Sequence, residues 1–290
     1  MKKDLVVKDN ALINASYNLD LVEQRLILLA IIEARQNGTP TDQDLTVHAD
    51  SYVNHFSVHR NTAYQALKDA CDNLFERRFS YQKLSPRGNI EYVKSRWVQR
   101  ISYVEKEAVV KLKFSDDVVP LITNLEKHFT SYELEQVSQL NSAYAVRLYE
   151  LLIAWRASGQ VPLIELKAFR SKLGVGENEY KLMHQFKSRV LDLAIAQINK
   201  HTDITVSYEQ HKQGRVITGF SFTFKLKKPT KAEKQKALAN PKAPDLETDK
   251  REAYAQFIGY QQRAQLLNTP IEQLATKKEL TQFRKFEFMA

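Results

Sequence analysis

The chain is short of the residues on which most catalytic and cross-linking chemistry depends. Only one of its 290 residues is cysteine, Cys71. That excludes an intrachain disulfide and a cysteine-based zinc site. Its place among the apolar positions of a long helix makes it a small core residue. Glycine is scarce, with eight in all, and no G-x-x-x-x-G-K stretch occurs, so no phosphate loop is available for nucleotide chemistry. The seven histidines (48, 55, 59, 128, 184, 201 and 211) form no H-x-H pair and no H-E-x-x-H. A metal-dependent strand-nicking enzyme would need such a cluster. No run of 18 uncharged apolar residues occurs, so no membrane-spanning helix is expected. The opening Met1-Lys2-Lys3-Asp4 is basic without the apolar segment of a signal peptide. These absences give the expectation of a cytoplasmic, non-enzymatic protein with no cofactor and no metal.

What is present is a basic excess, unevenly spread. The formal charge is +9. Residues 1–130 hold 18 Lys and Arg against 17 Asp and Glu, residues 131–228 hold 14 against 9, and residues 229–290 hold 11 against 8. A basic second half predicts a polyanionic partner, most often nucleic acid. Hydrophobic residues make up 43% and aromatic residues 10%, enough for about two cored domains at this length.

One plan is written twice. A leucine-rich helix, a short helix, a second long helix and a hairpin run through residues 18–114, and again through 141–227. Leu67, Ala70 and Leu74 have the spacing L-x-x-A-x-x-x-L/I, and so do Leu191, Ala194 and Ile198. Arg25-Leu26 opens one apolar helix and Arg147-Leu148 opens the other. The offsets of 124 and 122 residues hold the two copies nearly in register. The resulting fold class is α+β, with two tandem winged-helix domains (1–130 and 131–228) and a linker with a helical tail (229–290).

Periodicity places the elements. Residues 1–17 read as a strand or arm, and 19–35 as a helix ended by Asn37-Gly38-Thr39-Pro40. Helices are expected at 49–56 and 60–77, the latter with Ala63, Ala66, Leu67, Ala70, Leu74 and Phe75 inward. In the strands that follow, Val93, Trp97, Ile101 and Tyr103 point one way and Lys94, Arg96 and Arg100 the other. This reads as one hairpin over 77–100, turning at Pro86-Arg87-Gly88-Asn89, with a single basic face. Thr130-Ser131-Tyr132-Glu133 has capping-box spacing and suggests a helix start. Further helices are expected at 142–158, 164–173 and 180–200. The last has an inward stripe of Met183, Phe186, Val190, Leu193, Ala194, Gln197 and Ile198. Ile204, Val206 and Tyr208, then Phe220, Phe222 and Phe224, alternate as two strands of a second hairpin with the tip Lys212-Gln213-Gly214-Arg215. Pro229, Pro241 and Pro244 mark a linker, and 249–267 fits an amphipathic helix.

A helix pair with a short turn and a hairpin behind it is suited to duplex DNA. The second helix fits the major groove and the hairpin reaches phosphates or the minor groove. The candidate contacts of the second copy are Lys181, His184, Gln185, Lys187, Ser188 and Arg189 on the helix, with Lys212 and Arg215 at the hairpin tip. Those of the first are Arg60, Asn61, Tyr64 and Lys68, with Lys94, Arg96 and Arg100 on a strand face. Trp97 and the Phe220, Phe222, Phe224 series read as core.

The order of these residues resembles a known family. Asn10-Ala-Leu-Ile-Asn-Ala-Ser-Tyr17, Leu19 with Gln24-Arg25-Leu26, and Ser142 with Ala145-Val-Arg147-Leu-Tyr149-Glu-Leu-Leu152 carry the resemblance. So do Tyr180-Lys181, Phe186-Lys187, Arg189-Val190-Leu191, Ala194 and Ile198-Asn199. Over residues 5–227 the chain resembles the iteron-binding Rep_3 family of plasmid replication initiators. The resemblance implies two winged-helix domains that bind short direct repeats (iterons) at an origin, with the second domain's long helix, Lys181 through Arg189, as main reader. It also implies a monomer that opens the origin and a dimer, paired mostly through the first domain, that represses its own gene. The implied partners are double-stranded DNA, a second copy, the host initiator ATPase and the replicative helicase. A winged-helix transcriptional repressor without initiator activity is the alternative. A nicking relaxase is a third class.

Overall fold

The computed structural model describes residues 4–36, 44–123, 129–227, 270–274, 280, 281, 283 and 284. The turn expected at 37–40, and the linker and helix expected across 229–267, lie outside the described residues. An N-terminal strap comes first: β1 (Leu5–Asp9), α1 (Asn10–Ile13) and β2 (Ser16–Tyr17). β1 pairs antiparallel with β8 (Phe129–Glu133), setting Val6 opposite Tyr132 and Lys8 opposite Thr130. The expected helix start at Thr130 is thus a strand. Its inward Thr130 and Tyr132 are buried at every second position, and β1 satisfies its backbone groups, so it has no use for a cap.

The first module follows as helix, strand, two helices and two strands: α2 (Leu21–Gln36), β3 (Leu45–His48), α3 (Ala49–Phe56), α4 (Arg60–Glu76), then, after an interruption, β6 (Val98–Val104) and β7 (Val109–Phe114). The second repeats this order with α6 (Ala143–Ile153), β9 (Gln160–Glu165), α7 (Leu166–Leu173), a broken long helix, β10 (Ile204–Gln213) and β11 (Val216–Leu226). The sheets correspond strand for strand, β3-β7-β6 and β10-β11-β9. A short α5 (Glu135–Ser138) lies between the modules in sequence. Helix α7 ends at Gly174, whose φ of +80° favours glycine and whose hydrogen lies where a Cβ would meet the Tyr17 carbonyl at 2.4 Å.

The interruption corrects the reading of residues 77–100 as one hairpin. β4 (Arg78–Leu84) and β5 (Ile90–Arg96) form a hairpin of their own, joined to β2. The chain breaks at the fully buried Trp97 and enters a different sheet, with a register shift between Val98 and Arg100. The strict alternation that placed Lys94, Arg96 and Arg100 on one face therefore does not run through the segment. The hairpin equivalent to β10–β11 is β6–β7, and β4–β5 is an insertion that the second module lacks.

The repeated triplets are core. Leu67, Leu74, Leu191, Ala194 and Ile198 are fully buried and Ala70 nearly so. Cys71 is also buried, which pushes its thiol up to about 12, and Phe220, Phe222 and Phe224 pack in the core. Phe75, expected inward, is 40% exposed beneath the Arg96 guanidinium, which lies 5.5 Å from its ring. The second long helix departs from its expected register. It starts at Met183, not Tyr180, and runs as α8 (Met183–Phe186), a π turn over Lys187–Leu191 and α9 (Asp192–His201). A π turn holds one more residue than an α turn. The stripe therefore rotates at that point: Leu191 is fully buried and Leu193 is 45% exposed.

Charge is buried where the modules meet. The carboxylate of Glu150 accepts from Lys8 Nζ, Arg147 Nη1 and Tyr132 Oη, each at 2.6 Å, and from Tyr17 Oη at 3.4 Å. Arg147 also donates to the carbonyls of Ile13, Ala15 and Lys172 and stacks over Tyr17. Its counterpart Arg25 donates to the carbonyls of Ser138 and Leu140 and lies over Phe56. Helix α2 is consequently buried on all sides, including Glu23, Gln24 and Arg25, rather than along the single face its apolar pattern suggests.

Two outcomes follow. Leu191→Ala should cost about 2–5 kcal/mol in denaturant unfolding, whereas Leu193→Ala should stay within roughly 0.5 kcal/mol. The reverse order would rule out the π turn. Glu150→Ala leaves Lys8 and Arg147 buried without their shared partner and should cost about 3–5 kcal/mol. Burial alone would raise the Glu150 pKa, but Lys8 and Arg147 bring it down from 4.5 to about 2. A depressed carboxylate contributes its stability fully above its unfolded pKa and loses it as pH falls through the folded value. The wild-type chain should therefore weaken between about pH 4.5 and pH 2, and Glu150→Gln should flatten that part of the stability curve.

Candidate nucleic-acid interface

Each module presents a helix beside a hairpin, and the two surfaces differ. In the second, the segment leading into α8 is held from behind. Arg170 of α7 donates to the carbonyls of Tyr180 (3.1 Å) and Glu179 (2.5 Å) and lies over the Phe186 ring. The Glu179 carboxylate accepts the Gly176 amide at 2.8 Å. Tyr180 has φ +42°, a conformation a bulky residue keeps only when its surroundings enforce it. Behind the helix, Asn199 exchanges two hydrogen bonds with the backbone of Val206, which fixes the root of β10.

On this frame the second module's candidates fall into two groups. Lys181, His184, Ser188 and Arg189 are exposed along the outer side of the helix entry, Lys181 just ahead of α8 rather than on it. Lys212 and Arg215 are exposed at the turn of β10–β11, where Gly214 has φ +62°. Lys181, Arg189, Lys212 and Arg215 have no ion pair among the described residues. Gln185 is half-buried. Lys187 is half-buried and already has partners. Its ammonium lies 3.1 Å from Gln210 Oε1 and 5.7 Å from the Tyr208 ring centroid, and Tyr208 in turn donates to Asp192. Burial and that bond to Asp192 push the Tyr208 hydroxyl up to about 12. Lys187 thus links helix to hairpin.

The first module's candidates are largely engaged by acids. Arg60 Nη2 donates to both carboxylate oxygens of Asp50 (2.6 and 2.9 Å), and its Nε donates to Tyr64 Oη at 2.6 Å. Lys68 pairs with Glu105, Arg96 with Glu76 at 3.1 Å and Arg100 with Asp44 at 2.9 Å. Asn61 and Lys94 are exposed without such a pair. The turn of β6–β7 is Glu105-Lys106-Glu107, acidic where its counterpart is basic.

Sequence reasoning missed Arg170, Asn199 and Lys167. A cation in a short helix gives no sign that it will cap a turn ten residues on. Lys167 and Arg170 line an open cleft of about 420 Å³ between α7 and Val216, Ile217 and Thr218 of β11. No group of three or more His, Cys, Asp or Glu side chains suited to a metal occurs among the described residues. No described helix is long and apolar enough to cross a membrane.

Comparison with known proteins fits this duplicated geometry. Residues 5–153 match the family described as Initiator Replication protein, WH1, and residues 165–224 match Initiator Rep protein, WH2. An uncharacterized 27.6 kDa protein of Escherichia coli is 26% identical over 74% of this chain and 93% of its own length. A replication initiation protein of Escherichia coli is 24% identical over 64% of this chain, which spans 58% of that relative. Among solved structures, the Pi initiator protein in complex with iteron DNA shares the fold, with a TM-score of 0.62 at 22% identity, over 79% of this chain and 100% of that one. With both of its winged-helix modules present in order, the chain belongs to the Rep_3 family of plasmid replication initiators.

Proposed function

We propose that this chain binds direct repeats (iterons) at a plasmid origin and opens the origin for host replication factors, with the second module as main sequence reader. The observation that carries the reading is the set of unpaired cations, Lys181 and Arg189 at the helix entry and Lys212 and Arg215 at the hairpin turn, on one rigidly held winged helix. His184, Gln185 and Ser188 supply the donors and acceptors that base edges in the major groove call for, while the cations suit phosphates. The domains are taken as 1–130 and 131–228, with 229–290 as a tail. A second copy, paired through the first domain, serves as the form that represses the chain's own gene. The host initiator ATPase and the replicative helicase are the expected protein partners, and the cytoplasm the expected compartment. The family is one of replication initiators, and the proposed role is one of binding.

Footprinting over the DNA around the chain's own gene tests this directly. Protected blocks repeating at a fixed period are expected, and a plasmid carrying those repeats should replicate only when the gene is supplied. Replication without the gene would leave the repressor reading in its place. Lys181→Ala with Arg189→Ala should lower repeat affinity and reduce the slope of log affinity against log salt by about 1.8, at about 0.9 per phosphate contact, with thermal unfolding unchanged. An unaltered slope would remove both from the site. Lys187→Ala should act differently, loosening the hairpin through Gln210 and Tyr208 more than it changes the salt slope.

A further inference from the structure

The two modules share a topology and differ in what their cations face. In the first module, both carboxylate oxygens of Asp50 in α3 accept from Arg60 Nη2, and Tyr64 Oη accepts from its Nε. Glu105, in the turn between β6 and β7, holds Lys68, about two turns further along α4. The two acids reach α4 from different elements, one from the helix before it and one from the turn of the hairpin after it. A helix lying in a major groove has phosphate backbone beside it. A carboxylate offers a guanidinium or an ammonium the same kind of anionic oxygen acceptor as a phosphate does. Both pairs are exposed, with side-chain exposures of 60% and 58% for Arg60 and Asp50 and 50% and 69% for Lys68 and Glu105. Exposed pairs add little to folding, so stability does not account for their placement.

We propose that Arg60 and Lys68 form a second docking site for DNA backbone phosphates, held closed by Asp50 and Glu105, which stand in the phosphate positions. The proposal rests on the reading that the chain binds duplex DNA. In the closed state each cation is already neutralised, so the first module releases few counterions from DNA and grips weakly. Opening requires only the exchange of one oxyanion for another, at little cost, because both partners are solvated. The second module then supplies standing affinity, and the first adds its grip where phosphates are brought against α4 at high local concentration, as on an array of adjacent sites.

The test is a mutant cycle on the full-length chain, read as affinity and salt slope on a random-sequence duplex of 30 base pairs and on the repeat DNA. Phosphate contacts are sequence-independent, so the random duplex reports on this site even if repeat recognition fails. Loss of preference for the repeats would count against the functional reading alone. Asp50→Asn with Glu105→Gln should tighten binding by about tenfold at low salt and steepen the slope by up to about 1.8, the contribution of two phosphates. In an Arg60→Ala background, Asp50→Asn should lose its effect, and Glu105→Gln should lose its effect in Lys68→Ala. Unchanged affinity and slope in the double variant would overturn the proposal. So would an equal gain with the cation absent, since that is the signature of diffuse charge rather than an occupied site. All four side chains are exposed, and thermal unfolding of each variant, expected to match wild type, confirms that binding is what changed.

Discussion

The carboxylate of Glu150 is the point on which the arrangement of the two modules depends. A buried charge is tolerable only when its partners are complete, and here they come from widely separated parts of the chain. Lys8 belongs to β1, Tyr17 to β2, Tyr132 to β8 and Arg147 to α6. Arg147 carries the linkage outward to the carbonyls of Ile13, Ala15 and Lys172. Hydrogen bonds of this kind are directional, where apolar contact is not. They fix the angle at which the N-terminal strap, α6 and the end of α7 meet. Gly174 allows the closest of these approaches, because a side chain there would strike the Tyr17 carbonyl.

The duplication gives this linkage its form. Arg25 and Arg147 occupy the same place in the two copies, and each crosses to backbone of the other half. Arg25 of the first module reaches Ser138 and Leu140, and Arg147 of the second reaches Ile13 and Ala15. The conserved topology keeps the core triplets 67/70/74 and 191/194/198 inside. The surfaces are under no such constraint and have diverged in charge and in the length of the hairpins. The first module has gained β4–β5 and keeps an acidic turn on its own hairpin. The second has a long basic hairpin and a helix entry with open cations.

Local periodicity and the internal repeat carried different amounts of this into the sequence. Helix α3 was legible to the residue, because Ala49, Tyr52 and Phe56 form a plain inward stripe and Ser57 ends it. Helical periodicity named Leu193 as inward and left out Leu191, although the repeat sets Leu191 opposite Leu67, an expected core residue. The burial follows the repeat, because periodicity assumes a uniform helix and the π turn breaks that assumption. The β4–β5 insertion was hidden because Trp97 continues the alternation of its neighbours while the chain passes between sheets. Lys187 looked like its neighbours Lys181 and Arg189. Its turn toward Gln210 and Tyr208 depends on β10, which no local pattern specifies. The acid partners of Arg60, Lys68, Arg96 and Arg100 lie between 10 and 56 residues away. Net charge counted them, but only the fold shows which cation each one takes.

Rigid support is what turns such a surface into a reader. Phosphates give affinity without sequence, so discrimination depends on whether base-edge donors arrive in register. Any freedom in the helix entry would cost entropy on binding and blur that register. Here the entry is built against freedom: Arg170 holds two consecutive carbonyls, Glu179 takes the Gly176 amide, and Tyr180 is kept in a left-handed conformation it would leave if released. In the proposed function Arg170 is therefore a support for the helix entry rather than a contact. A basic residue here is easily counted as a phosphate contact, but its bonds to Glu179 and Tyr180 make it a support for the segment that carries Lys181, His184 and Arg189. The same holds for Arg147 one layer deeper, where a buried cation sets the position of α7 and, through α7, of Arg170 itself.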